Sequence, residues 1–151
     1  MIKAVLFDLD GTLINTLDDI ADSVNFILCK YGHPIHKNEE YKYFAGRGNE
    51  IMIKRALPEK YRQDREYVLK IRDEFFERYG EHCTDKSYVY EGIYELINSL
   101  KKMDIMVAVV TNKSQKMTDI ILPKYFKTGT FSAVIGQRDG VPTKPEPHMP
   151  F

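Results

Sequence analysis

The feature that most constrains this chain is its opening segment, MIKAVLFDLDGTLINT. A short, almost unbroken apolar run at 2–7 delivers Asp8 and Asp10, one residue apart, then Gly11 and Thr12. Such a run suits a strand buried on both faces, as in a parallel sheet covered by helices. Along an extended chain, side chains at i and i+2 point the same way, so the two acids converge at the strand's carboxyl end. That edge is where open α/β sheets bind ligands. Gly11 lets the backbone turn sharply and bring N–H groups close to a ligand. Two adjacent carboxylates are hard to keep ionised together unless a cation sits with them. Hard oxygen donors beside a phosphate suit magnesium. One carboxylate can then attack phosphorus while the other handles the proton. Taken alone, Asp-Gly after a strand also fits an ordinary turn.

The rest of the chain sorts by periodicity. Residues 105–110 form a second apolar run, and 131–135 a weaker third. Ile93, Leu96, Ile97 and Leu100 fall at i, i+3, i+4 and i+7, one helical face. After Val110, Ser114 is a candidate N-cap, and Pro123 is expected to end the helix that follows. From about residue 88 onward, helix and strand therefore alternate. Between 16 and 81 no strand signal appears. Thr16 and Asp19 resemble a capping box. Leu17, Ile20, Ala21, Val24, Ile27, Leu28 and Tyr31 form a helical stripe closed by Gly32, and further helices are expected at 39–45, 50–57 and 65–79. The expected fold is α/β: a Rossmann-like parallel core from 1–15 and 88–151, with an α-helical cap inserted at 16–87.

Charge and composition exclude some classes. Lysine plus arginine equals aspartate plus glutamate, 22 each, so no net field favours nucleic acid or an anionic membrane. The N-terminal apolar run is broken by Asp8, which fits neither a signal peptide nor a membrane span. Cys29 and Cys83 have no metal or redox spacing and read as reduced thiols, so the expected location is cytoplasmic. His33 and His36 lack a third ligand and read as surface residues.

FDLDGTLINT, VVTNK and TKPEP together resemble the three motifs of the haloacid dehalogenase-like hydrolases, in family order. The FAGRGNEIMIKRAL segment resembles the cap of the phosphoglycolate phosphatase-like subgroup. The resemblance implies a magnesium-dependent phosphatase acting on a small phosphorylated metabolite, a phosphoglycolate-like monoester. Asp8 is then the nucleophile that forms an aspartyl-phosphate, and Asp10 the proton donor and base. Asp8 and Asp10 would hold Mg2+, the latter through its backbone carbonyl. Thr111, Asn112 and Lys144 would meet the phosphate, with Lys144 neutralising developing charge. Arg47, between Gly46 and Gly48, is a cap residue that can meet a substrate carboxylate; an ordinary solvated turn is the competing reading.

The resemblance also implies a departure. The family continues past its third motif with further strands and acids of the metal site, whereas this sequence ends at KPEPHMPF. On that expectation the core is incomplete, and the first strand lies at an open edge that invites self-association. The alternative is a truncated, catalytically poor fragment that binds phosphate or a partner. A phosphoglucomutase-like phosphoryl transfer is the second alternative.

Overall fold

In the computed structural model, which describes residues 2–146, the apolar runs become strands. In chain order the described strands are β1 (Ala4–Phe7), β2 (Ile14–Asn15), β3 (Tyr88–Val89), β4 (Met106–Ser114) and β5 (Ala133–Gln137). The helices are α1 (Leu17–Lys30), α2 (Tyr41–Phe44), α3 (Asn49–Ala56), α4 (Arg65–His82), α5 (Ile93–Lys102) and α6 (Gln115–Tyr125). The chain divides into two compact units, one of Met1–Asn15 with Tyr88–Phe151 and one of Thr16–Ser87. None of the described helices is long and apolar enough to cross a membrane.

The first unit is an α/β layer. Strands β1, β4 and β5 form a parallel sheet in the order β1-β4-β5, with Leu6 opposite Ala108 and Val109 opposite Val134. Helix α5 packs on β4, and α6 on β4 and β5. Leu9, Ile97, Val107, Val109 and Ile121 are buried between these layers. The β4–β5 ladder is irregular between Val110 and Ser114, then resumes at Ser114 opposite Gln137. There Gly136 donates its N–H to Gln115 Oε1 at 2.7 Å, and a Cβ at 136 would lie 2.7 Å from Gln115 Cα. Only glycine fits that approach of strand to helix.

Several local expectations need correction. β1 is not buried on both faces: Ala4 and Leu6 are exposed, Leu6 by 59%. β1 is an edge of the described sheet, and the helices of this unit pack on β4 and β5 instead. The second strand does not stop at Val110 but continues through Thr111–Asn112–Lys113 to Ser114. Ser114 then caps α6, its Oγ accepting from Met117 N. Pro123 does not end that helix, because buried Ile121 and Leu122 hold it in place and Leu122 C=O still accepts from Phe126 N at 2.9 Å. The antiparallel pair β2–β3 carried no sequence signal, being two residues on each side.

The second unit is helical. Its core contains Val24, Leu28, Tyr41, Ile53, Val68, Ile71, Phe75 and Tyr79, all 1% exposed or less. Phe75 and Tyr79 stack at 5.4 Å on one face of α4. Helix α1 begins after Thr16, whose side chain makes no capping hydrogen bond. Asp19 does not complete a capping box. Its buried carboxylate accepts from Lys86 N, Ser87 N and Ser87 Oγ, because these N–H groups need an acceptor where the chain leaves the unit. His33 and His36 are partly buried and bonded, His33 Nε2 to Tyr67 Oη at 2.7 Å and His36 Nε2 to the Ala56 carbonyl at 2.8 Å. Their surroundings are packed rings, Tyr61 and Tyr67 around His33 and Tyr41 and Phe44 around His36.

Candidate active site

The site forms where β1 ends. Leu9 is fully buried, so the flanking Asp8 and Asp10 point away from the core, as alternation along an extended chain requires. The chain then turns back on itself. The Leu9 carbonyl accepts from Thr12, Leu13 and Ile14 N–H groups at 3.0–3.3 Å, and Gly11 N donates to the Ile14 carbonyl at 2.9 Å. Gly11 makes this possible with φ of 76°, a backbone region other residues rarely enter. Buried Leu13 and Ile14 anchor the return. The two carboxylates are thus presented by a turn with little freedom to move.

Each acid has its own lysine. Lys144 Nζ lies 3.1 Å from Asp8 Oδ1, which also accepts from Leu9 N at 2.8 Å. Lys113 Nζ lies 3.0 Å from Asp10 Oδ1 and 3.2 Å from Oδ2. The Lys113 side chain is only 4% exposed, whereas those of Asp8, Asp10 and Lys144 are 44%, 31% and 31% exposed. Repulsion between the carboxylates is therefore offset by two ammonium groups, one at each acid. Among the described residues nothing engages Asp8 Oδ2, which leaves one carboxylate oxygen available to a ligand.

The other residues come from the end of β4 and the segment before 146. Thr111 is buried, and its Oγ1 accepts from Lys113 N at 3.1 Å, so its hydroxyl proton remains available for donation. Asn112 turns its amide to the main chain of Lys144: Lys144 N donates to Oδ1 at 2.7 Å, and Nδ2 donates to the Lys144 carbonyl at 3.2 Å. Lys144 Nζ also donates to the Val110 carbonyl at 2.7 Å. The structure thus brings Asp8, Lys144 and Asn112 into one network and Asp10, Lys113 and Thr111 into a second. Arg47 belongs to the helical unit, where it is exposed between Gly46 and Gly48, both at positive φ. Arg55 steadies the helix preceding it, donating to the Tyr43 and Phe44 carbonyls at 2.7 and 3.3 Å.

Lys113 is the member that sequence reasoning missed. A signal was present. Had the strand been carried through the polar residues TNKS, alternation would have put Thr111 and Lys113 on one side.

The donor set fits a magnesium ion of the sparsest kind. Among the described residues no group of three or more His, Cys, Asp or Glu side chains converges. Magnesium, however, is commonly held by one or two carboxylates, with waters and substrate phosphate completing its shell. Asp8, with an uncommitted oxygen, meets that requirement.

The family model for haloacid dehalogenase-like hydrolases matches residues 5–150. A phosphoglycolate phosphatase from Haemophilus influenzae is 32% identical over 150 residues, covering 96% of this chain and 67% of the relative. One from Chromobacterium violaceum is 30% identical over 152 residues, covering 99% and 68%. Among solved structures, that of a predicted phosphoglycolate phosphatase from Haemophilus somnus superposes with a TM-score of 0.87 at 30% identity, covering 97% of this chain and 67% of that one. The chain thus spans about two thirds of the length of the relatives it matches.

Proposed function

Because this chain belongs to the haloacid dehalogenase-like hydrolases, on their phosphoglycolate phosphatase-like side, we propose that it hydrolyses a small phosphate monoester through a covalent intermediate on Asp8. The observation that carries this reading is the pairing of the two acids. Asp8 and Asp10 stand at the sheet's carboxyl edge, each against its own lysine, with Asp8 Oδ2 uncommitted.

In the first step a carboxylate oxygen of Asp8 forms a bond to phosphorus. The bond to the ester oxygen breaks, and Asp10 gives that oxygen a proton. In the second step Asp10 takes a proton from water, whose oxygen bonds to phosphorus. The Asp8–phosphorus bond then breaks, releasing phosphate and restoring both acids. Lys144, already at Asp8, supports the charge that spreads over the phosphoryl oxygens. Thr111 donates its hydroxyl to one of them. Lys113 holds Asp10 by both carboxylate oxygens and so sets the direction of proton transfer. The Asp8 carboxylate and the Asp10 main-chain carbonyl would hold Mg2+, whose chemistry there is neutralisation of phosphate charge. Arg47 is the candidate contact for a substrate carboxylate, the feature that separates phosphoglycolate from simpler esters.

The test is hydrolysis of an aryl phosphate and of phosphoglycolate, with and without magnesium. Turnover that requires magnesium and drops at least about 1,000-fold in Asp8→Asn supports the reading. Activity that survives Asp8→Asn rejects it.

A second reading rests on a separate observation. β1 is an edge of the described sheet, with Leu6 59% exposed, Ile2 70% and Met106 57%. An edge with exposed apolar side chains is a template for a second copy of the chain. Sedimentation that shows a monomer at all concentrations removes this reading.

A further inference from the structure

Asn112 sits where β4 has left its regular ladder with β5, between Val110 and Ser114. A side-chain amide carries the same donor and acceptor as a peptide unit. Asn112 uses both on a single residue, accepting from Lys144 N at 2.7 Å and donating to the Lys144 carbonyl at 3.2 Å. In effect one side chain replaces a strand neighbour for one residue of an otherwise irregular segment. The far end of the same lysine is fixed as well, by the Val110 carbonyl at 2.7 Å and Asp8 Oδ1 at 3.1 Å. Lys144 is therefore held at its backbone and at its ammonium, and two of those anchors, Val110 and Asn112, belong to one short stretch of β4.

We propose that Asn112 is a positioning residue, which fixes the main chain of Lys144 so that its ammonium reaches Asp8, rather than a direct contact for phosphate. The amide lies two residues beyond Val110, so the strand end measures out the span that the lysine side chain must bridge. Without the clamp, the chain at 144 has no strand partner among the described residues to define where its side chain begins. Small displacements of a charged group at a reacting centre are costly, of the order of 100-fold for about 1 Å. The catalytic consequence rests on the phosphatase reading above, while the clamp itself does not.

The experiment has two arms. In the first, amide hydrogen exchange at Lys144 is measured in the wild-type chain and in Asn112→Ala. The clamp predicts slow exchange in the wild type and roughly fivefold to tenfold faster exchange in the variant, as for one lost hydrogen bond. Exchange at the unprotected rate in the wild type overturns the proposal, whether or not the variant folds. In the second arm, inorganic phosphate is titrated into wild type, Asn112→Ala, Lys144→Met and the double variant. Positioning predicts that the double variant binds phosphate no more weakly than Lys144→Met alone, and that the two losses in kcat likewise fail to multiply. Losses that multiply overturn it, because they show Asn112 touching phosphate independently of Lys144. A wild-type chain that neither binds phosphate nor turns over substrate rejects the phosphatase reading, and the exchange arm still decides the clamp.

Discussion

The α/β unit and the helical unit solve different problems. The helical unit buries large rings on periodic faces, with Tyr41, Phe75 and Tyr79 all 1% exposed or less. The α/β unit fixes its site by single polar contacts between distant residues: Lys113 reaches Asp10 across 103 residues of sequence, and Asn112 reaches the Lys144 main chain across 32. Packing of the first kind is tolerant of detail, because many weak contacts share the load. Ion pairs and amide clamps of the second kind depend on single atoms. Substitutions in the two units should therefore fail differently, one in stability and the other in chemistry.

The largest stability effect is expected from Phe75→Ala. Removing a buried ring leaves a cavity, at a cost of about 3–5 kcal/mol. Denaturant unfolding should show this loss as a lower midpoint. A loss below about 1 kcal/mol would mean that the helical unit is not held by this core.

An intermediate effect, on chemistry alone, is expected from Lys113→Met. With Asp10 no longer aimed, hydrolysis of an alkyl phosphate should slow by about 10- to 100-fold. An aryl phosphate should lose less, since its leaving oxygen needs little help from a proton. Equal losses on both esters would place Lys113 outside protonation of the leaving oxygen.

The smallest effect is a pH slope in the helical unit. His33 is held below its ordinary value of 6.5, first by burial and second by the charge of Lys60. As pH falls through 6.5, the unfolded chain takes up the proton before the folded chain does. The contribution of His33 is therefore complete above 6.5 and declines as pH falls below it. Thermal midpoints of His33→Gln should depend less on pH than those of the wild type over this range. An unchanged slope would assign the acid sensitivity to other groups.

The helices and the parallel strands were legible because each repeats a period. The stripe at Leu17, Ile20, Ala21 and Val24 became α1, and the run at 105–110 became most of β4. Legibility failed where pairing at a distance overrode the local signal. Polar TNKS reads as loop, yet it continues β4 because Ser114 pairs with Gln137. Asp19 reads as a cap, yet its carboxylate is taken by the N–H groups of Lys86 and Ser87. The unbroken apolar run at the N-terminus suggested burial on both faces, yet Leu6 lies on the uncovered face of an edge strand. In the site, the Asp8–x–Asp10 spacing shows in a single short motif of sequence that two carboxylates share a side. The motif resemblance already pointed Lys144 at the charge around Asp8, whereas the pairing of Lys113 with Asp10 shows only in the folded chain.

The central claim is that Asp8 takes the phosphoryl group onto its own oxygen. The most direct measurement is rapid acid quenching during turnover of phosphoglycolate, followed by mass spectrometry of the peptide that contains Asp8. The account predicts one phosphoryl group on that residue in the wild-type chain and none in Asp8→Asn. Turnover with no label on Asp8, or with label on another residue, would contradict it.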